Sequence, residues 1–394
     1  MAVLPYGRHQ IDEDDIEAVV EVLRGGALTC GPKTIEFEAA FAKKVGSAEA
    51  VVCSNGTTAL HLAVMALGIE AGDNVIVPAI TFLSTANAVR MAGANVIFSD
   101  VDADTGLLTP QTLLDAYAKV DGPVKAVMPV HLNGQCADIE VIQTIASENN
   151  SSVITDCCHA LGAKYSGGGR PGDGQYEDLS CYSLHPVKSI AMGEGGMVTT
   201  NNREHAARMR LLRGHDMRRD PADWTLTDMA FDQNGDPNPW FYEMHELAYN
   251  YRATDIQCAL GLSQLTKLDQ FVARRREIAA LYDDMLVSTG NYLRPVPRTF
   301  AAKSAWHLYP VLIDFEVVRK DRAQVMKELL AQGIGTQVHY IPVSDQPYYR
   351  ELYGVQPFKG AKAYYERVLS LPIFPGMSDG DVSKVVSALS DVLG

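Results

Sequence analysis

The chain reads as an α/β protein: a mostly parallel, doubly wound sheet in a large domain, followed by a smaller C-terminal α+β domain. Three observations predict this. Short β-rich runs at 50–53, 75–77, 96–98, 124–130, 153–155 and 179–183 mostly alternate with helical patterns. The runs lack strict polar alternation, which implies a sheet covered on both faces. Residues with chemical potential also fall at the ends of the runs. Asp156 follows 153–155, Lys188 follows 179–183, and Ser54-Asn55-Gly56-Thr57-Thr58 follows 50–53. Open α/β sheets hold their ligands at such strand ends.

Each element has its own signal. Residues 12–24 form a helical pattern that Asp12 can cap; Ile16, Val19, Val20 and Leu23 share a face, and Gly25-Gly26 ends it. A second helix spans 36–45. A third follows the Ser54–Thr58 turn, with Leu60, Ala63, Val64 and Leu67 on one face. Residues 78–82 lead into a helix through Val89, and another helix runs over 138–147. Met197-Val198-Thr199-Thr200 reads as a strand. The stretch 216–249 changes character, with Trp224, Phe231, Trp240, Phe241 and Tyr242 among Asp, Pro, Asn and Gly; such a segment is expected to cover a pocket or pack on a partner subunit. A long helix over 255–288 is expected to join the domains, giving a boundary at 262/263. Strands are expected at 306–313 and 337–340, and helices at 321–332 and 379–393.

Composition bounds the function. The chain has 394 residues, with 47% hydrophobic and 21% charged residues and a net charge of −14. That is enough chain for two domains. No basic cluster points to nucleic acid, and the acidic balance argues against an anionic membrane surface. No apolar run approaches the roughly 20 residues of a membrane span. Seven cysteines, an odd number without framework spacing or a signal peptide, read as reduced, so a soluble cytoplasmic protein is expected. Cys157-Cys158 reads as a packing pair rather than a metal site.

The organising stretch is Ser183-Leu184-His185-Pro186-Val187-Lys188, followed by Gly193-Glu194-Gly195-Gly196. Asp156 lies thirty-two residues before Lys188, with His159 close behind. A strand-end carboxylate and a loop lysine are what pyridoxal phosphate chemistry requires. The lysine forms a Schiff base, and the carboxylate keeps the pyridine nitrogen protonated so that the ring accepts electrons. The Ser54–Thr58 turn offers backbone N–H groups and a helix dipole to a phosphate. Singly, these features also fit a surface lysine and ordinary helix caps; together they favour a cofactor site.

The motifs D-x-x-H-A-L-G at 156–162, S-L-H-P-V-K at 183–188, G-E-G-G at 193–196 and N-Y-R-x-T-D-I-Q at 250–257 carry a resemblance to the DegT/StrS-type sugar aminotransferases, which are fold-type I pyridoxal phosphate enzymes. The resemblance spans nearly the whole length. It implies pyridoxal 5'-phosphate as cofactor and a homodimer with shared active sites. Lys188 would be the Schiff-base lysine and general base, and Asp156 would pair with the ring nitrogen. Phe82 would stack on the ring, and His159 would contact the ring or its phenolic oxygen. Gly56, Thr57 and Ser183 would hold the phosphate, with Asn250 reaching it from the neighbouring subunit. His339 and Tyr340 match a segment near the sugar, and His185 is a further substrate candidate.

The resemblance implies transfer of an amino group from L-glutamate to a keto- or aldehydo-sugar in cell-surface polysaccharide (lipopolysaccharide) biosynthesis. Related dehydratases carry histidine where this chain has Lys188, which argues against dehydration. No DNA-binding module is appended to support a regulator. The segment 333–349, with H-Y-I-P and Q-P-Y-Y, resembles enzymes that aminate a UDP-linked 4-keto-6-deoxy sugar for pseudaminic acid. S-N-G-T-T-A-L at 54–60 and S-I-A-M before G-E-G-G depart from that pattern. They tilt the expectation to 8-oxidised Kdo as acceptor, giving 8-amino-3,8-dideoxy-manno-octulosonate.

Overall fold

The computed structural model describes residues 3–287, 290–298 and 303–394. Seven strands form the main sheet: β1 (Glu49–Cys53), β2 (Asn74–Pro78), β3 (Asn95–Ser99), β4 (Val124–Val127), β5 (Ser152–Asp156), β6 (Leu179–Ser183) and β7 (Gly196–Thr200). Their order is β1-β7-β6-β5-β4-β2-β3. β7 runs antiparallel to both β1 and β6, and the remaining pairs are parallel. All of β7 and nearly all of β1, β2, β5 and β6 are buried, which is why these segments show no polar alternation.

Helices α1 (Glu13–Gly25), α2 (Pro32–Val45), α3 (Gly56–Ala66), α4 (Leu83–Met91), α5 (Pro110–Tyr117), α6 (Ile139–Glu148) and α7 (Arg203–Leu212) surround the sheet. Reciprocal side-chain caps start several of them, Asp12 with Asp15 in α1 and Asn55 with Thr58 in α3. The expected inner face of α1 is only partly covered, with Val19 and Val20 half-buried. Ile16 and Leu23 are exposed, and Asp15 is buried instead. Its carboxylate accepts from Ser263 Oγ (2.6 Å) and Gln264 Nε2 (2.6 Å) and pairs with Lys267 (2.9 Å). A polar cluster, not the apolar stripe, fixes the orientation of this helix.

Residues 216–249 contain only a short turn at Pro221–Asp223 and α8 (Thr227–Ala230) as helical structure. Side chains knit the segment together. Glu243 accepts from the amides of Thr225 (2.8 Å) and Leu226 (2.7 Å) and meets His245 Nε2 at 2.6 Å. Trp224 donates to the Arg218 carbonyl (3.0 Å) and packs edge-on against Phe241. The outer side carries Leu226, Met229, Trp240, Met244 and Leu247 exposed, Trp240 at 73%.

The long helix α9 (Asp255–Leu286) contributes Leu265, Leu268 and Phe271 to the core beneath the main sheet, and Ile278, Tyr282 and Leu286 to a second core. Ser288, the expected end of this helix, lies outside the described residues. The second core is built on β8 (Leu293–Pro295), β9 (Tyr309–Ile313) and β10 (Val368–Leu371), with α10 (Arg322–Ala331) and α13 (Asp379–Leu393); α11 (Pro347–Tyr353) and α12 (Lys359–Arg367), which precede β10 in the chain, pack Tyr349, Ala361 and Tyr364 into the first core. Two strand expectations need correction. The expected strand at 306–313 begins only at Tyr309, because Trp306 takes a left-handed backbone (φ 51°) that turns His307 inward. Residues 337–340 are not a strand; a single bridge joins Gln337 to Ser370, and His339 and Tyr340 are joined by a cis peptide. No helix among the described residues is long and apolar enough to cross a membrane.

Candidate active site

Four strands end on one cavity of about 1040 Å³. β1 delivers Asn55, Gly56, Thr57 and Thr58; β2 delivers Thr81 and Phe82; β5 delivers Asp156; and β6 delivers Ser183 and the loop to Lys188. His159, His185, His339 and Tyr340 also line it. Every residue singled out in the sequence therefore meets at one place except Asn250. That residue is exposed outside the cavity, beside Tyr251, which does line it. No described residue of 216–249 lines the cavity of its own chain.

Asp156 is 4% exposed, and its two oxygens are held separately. Oδ2 accepts from Thr85 Oγ1 (2.7 Å), and Oδ1 accepts from the Cys158 amide (3.0 Å). Thr81 Oγ1 lies 2.7 Å from Thr85 Oγ1 and completes a hydroxyl relay. A buried carboxylate fixed by neutral donors is preorganised to meet a cationic nitrogen without reorientation.

The start of α3 is a cradle for an anion. Asn55 accepts the Thr58 amide (2.9 Å), which leaves the first-turn amides of Gly56 and Thr57 to an outside acceptor. Gly56 is required by close packing, since a Cβ there would stand 2.7 Å from Ser183 Cβ. Thr57 Oγ1 pairs with Ser84 Oγ at 2.7 Å, so the hydroxyl-rich start of α4 closes the same wall. Phe82 is 53% exposed at the rim, its ring 5.8 Å from that of Tyr340. A phosphate at Gly56 and Thr57, an aromatic ring beside Phe82 and a ring nitrogen at Asp156 fit one group of the size and charge pattern of pyridoxal phosphate.

Burial holds the Lys188 amine below the usual lysine range, opposed by Cys158 and Asp156, which favour its charge. Lysine is thereby poised to act as a base or nucleophile. Beyond it lies a layer of histidines. The Asn133 amide donates to His159 Nδ1 (3.2 Å), so His159 carries its proton on Nε2, 3.1 Å from the Tyr340 hydroxyl. Asn133 reaches this position through a left-handed backbone (φ 62°). His307 packs against His159 with ring centroids 4.3 Å apart and planes tilted at 45°. His339 Nδ1 lies 2.8 Å from Ser370 Oγ. Burial, with Lys188 nearby, holds His159 and His307 well below the usual histidine range and His339 down to about 3.

Sequence reasoning missed Thr85, Asn133 and His307. The only signal for Thr85 was its spacing of four from Thr81 across a helix start. Asn133 and His307 matter through backbone geometry that no motif marks.

These histidines predict a pH dependence of stability. His61 and His131 are also pushed down by burial, to about 4 and about 3. For each, the folded value lies below the unfolded value of about 6.5. Unfolding then takes up protons as the pH falls, so their stabilisation is complete above about pH 6.5 and is lost on acidification, at about 1.4 kcal/mol per pH unit per group in the limit. Glu177, pushed up to about 7 by burial, opposes this with one group. The melting temperature of the cofactor-free protein is expected to fall clearly between pH 7 and pH 5. A constant value over that range would contradict the neutral-histidine layer.

The strand order, with β7 reversed between β1 and β6, and a lysine and carboxylate at neighbouring strand ends, define the class: a fold-type I aminotransferase dependent on pyridoxal phosphate. Within that class the chain belongs to the DegT/DnrJ/EryC1/StrS aminotransferase family, whose model matches residues 9–390. It is 37% identical over 393 residues to the spore coat polysaccharide biosynthesis protein SpsC of Bacillus subtilis, covering 99% of this chain and 97% of that protein. Its fold matches Helicobacter pylori PseC, an aminotransferase of pseudaminic acid biosynthesis, with a TM-score of 0.89, 28% identity and 99% of each chain covered. The sugar aminotransferase Spr1654 of Streptococcus pneumoniae in its PLP form matches with a TM-score of 0.87 and 26% identity, over 99% of this chain and 98% of that one. The protein is thus a sugar aminotransferase with pyridoxal 5'-phosphate as its cofactor.

Proposed function

We propose that the enzyme moves an amino group from L-glutamate to the carbonyl of a keto- or aldehydo-sugar for a cell-surface polysaccharide, working in the cytoplasm as a homodimer. The observation that carries this reading is the convergence of Lys188, Asp156 and the Gly56–Thr57 cradle on one cavity. When bound, pyridoxal phosphate supplies an electron sink that stabilises negative charge on the substrate carbon. In this reading Lys188 Nζ would be the base that moves the proton between that carbon and the cofactor. Asp156 keeps the ring nitrogen protonated; Thr85 and the Cys158 amide prevent the carboxylate from turning away. Gly56, Thr57 and Ser183 hold the phosphate, Phe82 covers one ring face, and His159, neutral, orients the ring through Nε2 and Tyr340. His185, His339 and Tyr340 face the sugar.

The homodimer is supported by Asn250, exposed and outside its own cavity, and by the apolar outer side of 216–249. In this reading that segment packs on the partner and Asn250 reaches the partner's phosphate. The division at 262/263 belongs to the same proposal, with α9 spanning both cores.

For the acceptor, the motif departures at 54–60 and 189–192 support 8-oxidised Kdo within lipopolysaccharide synthesis. The likeness to PseC supports a second reading, a UDP-linked 4-keto-6-deoxy sugar. The test is to treat the loaded enzyme with glutamate, remove the oxoacid and offer each sugar separately. The true acceptor restores the visible absorption band of the Lys188-bound cofactor and yields the aminated sugar. Restoration by neither would overturn both acceptor assignments.

A further inference from the structure

The large cavity is short of cations. Lys188 is the only lysine or arginine among the described residues that line it, and Asp156 and Glu194 line it as well. Burial keeps His159, His307 and His339 neutral. In a chain of net charge −14, an anionic acceptor needs a positive group nearby.

A second cavity of about 520 Å³ adjoins the first at Met91, which lines both. Arg90 is the only charged residue among its described lining residues. One edge of the guanidinium is anchored: Nη1 donates to the Ala94 carbonyl (2.5 Å), and Nε faces the Tyr348 hydroxyl at 3.5 Å. No hydrogen bond occupies Nη2 among the described residues. Tyr348 is 55% exposed yet held edge-on against Tyr349 (ring centroids 5.0 Å, 85°). Tyr349 is itself buried and donates to Asn87 Oδ1 at 2.8 Å. Leu83 and Met91 add exposed apolar lining to the second cavity. A basic residue in the last turn of α4 also suits the helix dipole, which accounts for the Nη1 bond but not for the exposed Tyr348 ring that lines the cavity beside it.

We propose that this second cavity is the subsite for the anionic end of the acceptor, with Arg90 Nη2 donating to a phosphate or carboxylate oxygen and Tyr348 packing on the ring that carries it. The inference rests on the sugar-amination reading. It places the reacting carbonyl beside Lys188 and the charged end beyond Met91, so that one arginine supplies the acceptor's counter-charge. The same chemistry serves a nucleotide diphosphate or a sugar carboxylate.

Calorimetric titration of the pyridoxal-phosphate-loaded enzyme with UDP and, separately, with Kdo tests it. One of the two is expected to bind, and Arg90→Ala to weaken that ligand at least tenfold through loss of a charge-assisted bond. Arg90→Lys keeps the charge without the fork and falls between. Tyr348→Ala, which leaves the α4 terminus intact, is expected to weaken the same ligand severalfold. Binding of UDP identifies a nucleotide diphosphate, and binding of Kdo a sugar carboxylate. Binding of neither, or equal affinity in wild type and both alanine variants, would overturn the proposal. Bleaching of the cofactor band by glutamate is measured alongside. Its absence in wild type would overturn the donor reading independently of either titration.

Discussion

Lys188→Ala is expected to reduce turnover by about 10⁴-fold or more while the fold persists. The size follows from the proposed double role of one amine as covalent anchor and proton carrier. The persistence follows from the environment of the side chain. Lys188 makes no ion pair among the described residues, and its charged form is disfavoured by burial. Removing it takes a desolvated amine out of a cavity rather than a partner out of a network. The backbone bond from its amide to the His185 carbonyl (2.8 Å) is unaffected. Unchanged melting with lost turnover, and lost spectral response to glutamate, is the expected pattern. Turnover within tenfold of wild type would exclude Lys188 as the reacting group.

Asp156→Asn is expected to lower kcat by about 10²–10³-fold. An asparagine can keep the Cys158 amide bond through Oδ1. Its Nδ2 would then face Thr85 Oγ1, which can accept and turn its own proton to Thr81. The hydroxyl relay absorbs the change, so the substitution costs little stability. What it removes is the negative charge that would face the ring nitrogen in the proposed role. The expected result is pyridoxal phosphate retained, a stable protein and a slow chemical step in both half-reactions. A kcat within a few-fold of wild type would remove Asp156 from its assigned role.

The parts of the site that could be read from the chain are those whose chemistry is local. Asp156, Ser183 with Lys188, and the Asn55–Thr58 turn each sit at the end of an apolar run that the sheet buries on both faces. A short motif and a strand end were sufficient to bring them together. Thr85 could not be read because it meets Asp156 from 71 residues away through a helix start. His307 depends on the left-handed Trp306, a conformation that tryptophan rarely takes, and His159 on the left-handed Asn133, which asparagine tolerates but which no motif marks. The face of α1 was misread because a buried carboxylate, satisfied by α9, outweighed the apolar spacing. For 337–340, the β-rich composition suited a strand, but side-chain bonds to Ser370 and His159 direct the backbone into the cavity instead.

The most direct test of the account is the visible absorption spectrum of the purified enzyme loaded with pyridoxal phosphate, before and after L-glutamate. The expected result is a band that depends on Lys188 and that glutamate bleaches as the amino group passes to the cofactor. A loaded enzyme whose band is the same in Lys188→Ala, or does not respond to glutamate, would contradict it.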